Sequence, residues 1–184
     1  MFSVHTYLLK GNSVIASELN LDHVHKGVIL ENIEHSFIDI RNELAVKQYF
    51  KPNKKFFREA ILIKFNEEVI FDFTYYDLSL WSSFASLIED FLATDSKATE
   101  ETVHYQAIIS LENTDQDKVL FTVVKMNKIQ LEIELPKYSF FHALVDGGLH
   151  YFTTMCNYGY SHISITNMKS CYEELAKQLD KLIE

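Results

Sequence analysis

The sequence predicts an α+β fold, an antiparallel β-sheet of hairpins and meanders with two to three helices packed on one face. Three observations lead there. Some runs alternate: in residues 128–135, Ile129, Leu131, Ile133 and Leu135 interleave with Lys128, Gln130, Glu132 and Glu134, the signature of a strand with one buried and one wet face. Other runs repeat at steps of three and four, as Trp81, Phe84, Leu87, Ile88 and Phe91 do, which is a helix with one apolar stripe. The strand-like runs also come in groups joined by short turns. Single strands alternating with crossover helices are missing, which argues against a doubly wound parallel sheet.

Each element has its own reason. Residues 2–9 and 13–19 read as a hairpin about Lys10-Gly11-Asn12, and residues 28–40 contain a further strand. Residues 59–65 and 69–75 are apolar strand-like runs joined by Asn66-Glu67-Glu68. The Trp81 helix follows, with Asp77 or Ser79 able to cap it. A meander comes next: 102–112, the turn-forming stretch 113–117, then 118–126 and 128–135 linked through Asn127. Pro136 suits the first turn of a second helix, whose stripe is Phe141, Leu144, Val145, Leu149, Phe152, Met155 and Cys156. Asn157-Tyr158-Gly159 ends it. Residues 160–166 read as a short strand, and Asn167 as the cap of a last helix bearing Met168, Cys171, Leu175, Leu179 and Leu182. Strands then helix recur over about 28–95 and 102–158, a pseudo-repeat in the order of elements, with the C-terminal helix at 167–184.

Composition sets the bounds. The 184 residues are 47% hydrophobic and 14% aromatic, enough for a substantial core, so disorder and a disulfide-built mini-domain are excluded, and one domain spanning 1–184 is expected. Cys156 and Cys171 have no repeated spacing and read as reduced thiols partly in the core. No basic and apolar leader opens the chain, and no apolar run approaches the ~20 residues that span a bilayer. The expectation is a cytoplasmic protein that binds no membrane.

Charge narrows the partners. The net charge is −9, which repels phosphate backbones, so nucleic acid is not an expected partner and a basic protein is. The excess is segregated. Residues 89–117 hold Glu89, Asp90, Asp95, Glu100, Glu101, Glu112, Asp115 and Asp117 against Lys97. Residues 47–58 hold Lys47, Lys51, Lys54, Lys55 and Arg58 with no acid, interleaved with aromatics. That pattern suits a nucleic-acid or lipid contact, but Pro52-Asn53 also makes it an ordinary loop whose rings anchor in the core, and the overall charge favours the loop.

Few residues are placed for chemistry. His142, Asp146 and His150 recur every fourth residue and can offer a metal two imidazoles and a carboxylate, yet on a helical wheel they fall on the polar side, away from the apolar stripe. Asp22-His23-Val24-His25 puts two histidines on one side of an extended segment, without a third ligand at metal spacing. Gly147-Gly148 costs helix stability, and close backbone packing is the expected compensation. Nucleophile elbows, zincin motifs and phosphate loops are missing, and Glu132 with Glu134 reads as an exposed strand face rather than an acid–base pair. No cofactor is expected.

Function is therefore expected on a surface. The leading reading is a non-enzymatic binding protein, an acidic inhibitor or immunity-type protein that covers a basic toxin or nuclease. In composition and α+β build the chain is similar to the small acidic immunity proteins of bacterial toxin systems, without a shared motif. The contact candidates are the acids of 89–117 with exposed Tyr75 and Tyr76. The alternatives are a homo-oligomeric, possible homodimer or ligand-binding regulatory domain, and a metal-dependent hydrolase using His142, Asp146 and His150.

Overall fold

The structure, a computed structural model, describes residues 1–10, 36–102 and 107–182. It has the antiparallel α+β architecture, divided into two sheets and served by four helices among the described residues, one more than expected. In the first sheet β1 (Phe2–Leu9) lies between β2 (Phe37–Asp39) and β3 (Arg58–Phe65), and β3 carries β4 (Glu68–Phe71) and the two-residue β5 (Asp77–Leu78). The second sheet is a meander of β6 (Lys97–Glu101), β7 (Ala107–Asp115), β8 (Lys118–Lys125) and β9 (Lys128–Pro136). The helices are α1 (Glu43–Tyr49), α2 (Leu80–Thr94), α3 (Lys137–Asn157) and α4 (Ile163–Lys181).

Turn chemistry explains two of the tight hairpins, β3–β4 and β8–β9. Asn66-Glu67 and Met126-Asn127 have φ of 48°, 68°, 51° and 58°, the paired left-handed conformation whose twist matches the flanking strands. At the end of α3, Gly159 takes φ of 92° and lets Tyr160 N–H return to the Met155 carbonyl at 3.0 Å.

One core cluster draws on both sheets and all four helices, with Ile61 and Ile63 from β3, Val46 from α1, Trp81 and Phe84 from α2, Phe121 from β8, Phe140 and Phe141 from α3 and Leu175 from α4. Trp81 is its hub. Its indole Nε1 donates to Thr6 Oγ1 at 3.1 Å, and its carbonyl accepts from Tyr172 Oη at 2.6 Å, tying β1, α2 and α4 together. The glycine pair fits around it. A Cβ on Gly147 would stand 2.8 Å from both the Trp81 ring and Val4, and one on Gly148 would stand 2.3 Å from the Tyr172 ring. Close packing is thus what offsets two poor helix formers in α3. Cys156 and Cys171 are free and half-buried.

Several local expectations are corrected. The 69–75 run stays a strand only to Phe71, then turns through a 3₁₀ segment at Phe73–Tyr75 in which the Asp72 carboxylate accepts from Thr74 N–H at 2.8 Å. Residues 160–166 form no strand: α4 begins at Ile163, because His162 Nδ1 accepts from Ser164 N–H at 3.3 Å and caps it. Asn167 lies within that helix and is not its cap. The basic stretch is not all loop, since α1 runs to Tyr49. Beyond it, Phe50 and Phe57 meet edge to face at 5.2 Å and anchor both ends as expected. Strand β6 has no counterpart in the sequence expectation. The predicted strand 13–19, the Asp22–His25 pair and residues 103–106 of the predicted 102–112 strand lie outside the described residues.

Candidate functional site

Among the described residues, no element covers the outer face of the second sheet. Inward, Ala107, Ile109, Leu111, Val119, Phe121, Val123 and Leu135 are buried against α2 and α3. Outward, the register lays three rows across the strands: Lys97, Glu112, Leu120 and Glu134; Thr99, Ser110, Thr122 and Glu132; Glu101, Ile108, Val124 and Ile129. Leu120, Ile108 and Val124 are half-buried near the middle, and Ile129 keeps 62% of its surface. The carboxylates mostly flank them. Lys97 Nζ meets Glu112 at 2.6 Å, and Lys118 Nζ meets Glu134 at 2.7 Å. The latter pair, with Thr114 Oγ1 donating to Glu134 at 3.1 Å, holds the Glu134 carboxyl below its ordinary range and raises the Lys118 ammonium.

The acids of 89–117 do not gather in one patch. Glu101 and Glu112 belong to the open face, and Asp115 with Asp117 to the exposed β7–β8 turn at its end. Glu100 shares the side of the strand that faces α2, where burial and the neighbouring Asp90 raise its carboxyl. Glu89 lies on α2 and accepts from Cys171 Sγ at 3.3 Å, while burial and that carboxylate push the Cys171 thiol up to about 12. Asp95 closes α2, 3.6 Å from Lys137 Nζ. Glu132 and Glu134, read from sequence as a solvated face, join the open sheet.

The two tyrosines are corrected. Tyr76 is buried in a second cluster with Phe37, Leu62 and Phe73, and Tyr75 is half-buried, its ring stacked on Phe71 at 4.8 Å. The 3₁₀ turn folds both back over the first sheet, where desolvation raises the Tyr75 hydroxyl to about 12. His142 is half-buried with Nε2 facing no hydrogen-bond partner, whereas Asp146 and His150 are exposed. No group of three or more metal-ligating side chains gathers among the described residues.

A second feature escaped the sequence reading. Glu59, the second residue of β3, is 4% exposed, and its Oε2 accepts from Trp81 N–H at 2.9 Å. It therefore caps α2 from another element. Ser79 occupies the cap position in a left-handed conformation without a side-chain cap bond, and Asp77 accepts instead from Leu78 N–H at 2.5 Å. Burial raises the Glu59 carboxyl to about 7, against the Trp81 and Leu80 amides and the Tyr151 hydroxyl that favour its charged form; the adjacent Asp77 adds to the rise. Tyr151, fully buried beside this carboxyl, is raised well above its ordinary range by burial and by Glu59.

A cavity of about 240 Å³ opens beside Glu59, between the first turns of α2 and α4 and the C-terminal half of α3. Ser79, Ser82, Tyr151, Ser164 and Asn167 supply its polar lining, Phe57, Phe152, Ile165 and Met168 its apolar walls, and exposed Lys55 and Phe56 reach it from the basic segment. The only sequence signal was an acid at the head of the apolar run Ala60-Ile61-Leu62-Ile63. No helix among the described residues is long and apolar enough to cross a membrane. In comparisons with known proteins, no family model, no curated protein and no solved structure matches the chain.

Proposed function

We propose that the chain is a binding protein that takes a basic protein partner on the open face of its second sheet, in the manner of an acidic inhibitor. One observation carries this reading: a four-stranded face covered by no other element of the described chain, with Ile108, Leu120 and Val124 flanked by Glu101, Glu112, Glu132 and Glu134. Apolar area in the centre with charge around it is the layout of specific protein interfaces. Four carboxylates against Lys97 and Lys118, on a chain of net charge −9, favour a cationic partner and speed its encounter.

The test compares immobilised wild type with the double variant Glu132→Lys/Glu134→Lys in native cell extract at low and high salt. Wild type is expected to retain a basic protein that is released as salt rises, and the variant to lose it. Retention of no basic protein at either salt, or equal retention by the variant, would sink the reading. A wild type that runs as a dimer through this face, and that the variant turns into a monomer, would replace it with self-association.

A further inference from the structure

We propose that the cavity beside Glu59 is a binding site for a small primary amine with an apolar body, its ammonium held by the Glu59 carboxylate and its body between Phe57, Phe152 and Met168. The inference is independent of the docking surface, which lies on the second sheet.

Three observations converge. The first is space. A cavity of ~150 Å³ is enough for benzene, and the half-open volume here is about 240 Å³. The second is an excess of charge at its floor. Capping α2 needs only a neutral acceptor, and Ser, Thr or Asn serve that purpose without the cost of burying a carboxylate. Here a full carboxyl stands 4% exposed. The amide donors of α2 and the Tyr151 hydroxyl compensate it only in part, which is why its proton is held to about 7. A ligand ammonium supplies the missing positive charge. The third is the wall, where Phe57, Tyr151 and Phe152 present aromatic rings, surfaces that attract a cation and pack an apolar chain.

Other ligand classes fit less well. An anion would meet Glu59 and find the first-turn amides of α2 already engaged by it. A metal would need further ligands, and no such group exists among the described residues. Lys55 also lines the cavity, its side chain exposed.

Among the described residues, the charged and titratable groups around the carboxyl are Asp77 from β5, Tyr151 from α3 and Tyr172 from α4, with exposed Lys55 in the cavity lining. Both tyrosine hydroxyls are raised and stay neutral, so Glu59 itself sets the pH response. The probe is 2-phenylethylamine, with 2-phenylethanol as neutral isostere and phenylacetate as anion, titrated calorimetrically into the full chain at pH 8. Wild type is expected to prefer the amine over the alcohol at least ten-fold. Amine affinity should fall about ten-fold between pH 8 and pH 6, as the carboxylate takes up its proton. Glu59→Gln should abolish the preference while keeping an acceptor for Trp81 N–H. Should that variant not fold, Ser82→Leu fills the cavity from the α2 side and is expected to remove amine binding with the carboxyl untouched. Equal binding of amine and alcohol, no detectable binding of the amine, or a preference that survives Ser82→Leu would each overturn the proposal.

Discussion

The two sheets are both antiparallel, yet among the described residues one is covered on two faces and the other on one. In β3, the consecutive residues Glu59, Ala60, Ile61, Leu62 and Ile63 are all buried. Ile61 and Ile63 face the main core, while Ala60 and Leu62 face the second cluster with Leu9, Phe37, Phe73 and Tyr76. In β8, Val119, Phe121 and Val123 are buried, and Leu120, Thr122 and Val124 between them are only half-buried. A continuous apolar run thus belongs to a strand between two layers, and strict alternation to a strand at the surface of the molecule. The difference also separates two kinds of site: an open face suited to another macromolecule, and a half-open cavity at the end of the doubly covered strand.

The sharpest way to break this contrast is to truncate the same residue type on the second face of each sheet. Leu62→Ala leaves a hole among Phe37, Phe73 and Tyr76 and is expected to cost about 3 kcal/mol. Leu120→Ala on the open face should cost below ~1 kcal/mol. Urea unfolding of both variants reads the difference. Equal losses would mean that the outer face of the second sheet is as covered as the first.

Ionisation gives the next largest effect, and its sign differs between the sheets. The Glu59 carboxyl is raised from 4.5 to about 7 in the folded chain. Between those values the unfolded carboxyl has released its proton while the folded one retains it, so stability falls as pH rises through that window and levels off above it. The change amounts to about 3 kcal/mol. Thermal melts from pH 4.5 to 8 should show the decline, and Glu59→Gln should remove most of it. Glu134, lowered by Lys118 and Thr114, works the other way. Its stabilisation is present above the ordinary carboxylate range and fades as pH falls through the folded value. A wild-type profile that rises from pH 4.5 to 7 would show that Glu59 is not the buried acid described.

Much of this contrast can be read before folding, for physical reasons. Leu131 to Leu135 reveals a half-buried strand because its period needs no knowledge of neighbours. Trp81 to Phe91 reveals its helix in the same way. Ile129, expected on the same buried face as Leu131, instead turns outward across the register shift at Val123–Val124 and keeps 62% of its surface. Strand β6 hides because of its five residues only Ala98 is buried, and the remainder, Lys97, Thr99, Glu100 and Glu101, look like loop. Glu59 caps a helix that begins 21 residues later, so no local pattern announces it. Tyr76 looked like a contact residue because a run of aromatics does not say which way a 3₁₀ turn will fold them. His162 displaced Asn167 as a cap because the choice rests on one side-chain bond to Ser164. The acids of 89–117 dispersed because adjacency along a helix, an edge strand and a turn is not adjacency in space. Period carries over from sequence to structure; partnership between distant residues does not.

The smallest effect tests whether the open face is truly wet. Lys97 and Glu112 form a cross-strand pair at 2.6 Å, with 60% and 49% of their side chains exposed. In water such a pair gains little, because solvent screens the attraction and both long side chains lose rotamer freedom. A double-mutant cycle with Lys97→Ala and Glu112→Ala should therefore return a coupling of about 0.5 kcal/mol or less, shrinking further in 1 M salt. The same cycle repeated with the bound partner would report on the proposed interface. Covering the pair desolvates both charges, so the coupling should grow and lose much of its salt dependence. A coupling already above ~2 kcal/mol in the free chain would mean that something shields this face before any partner arrives, and the carboxylates around Leu120 would then belong to the fold rather than to a docking surface.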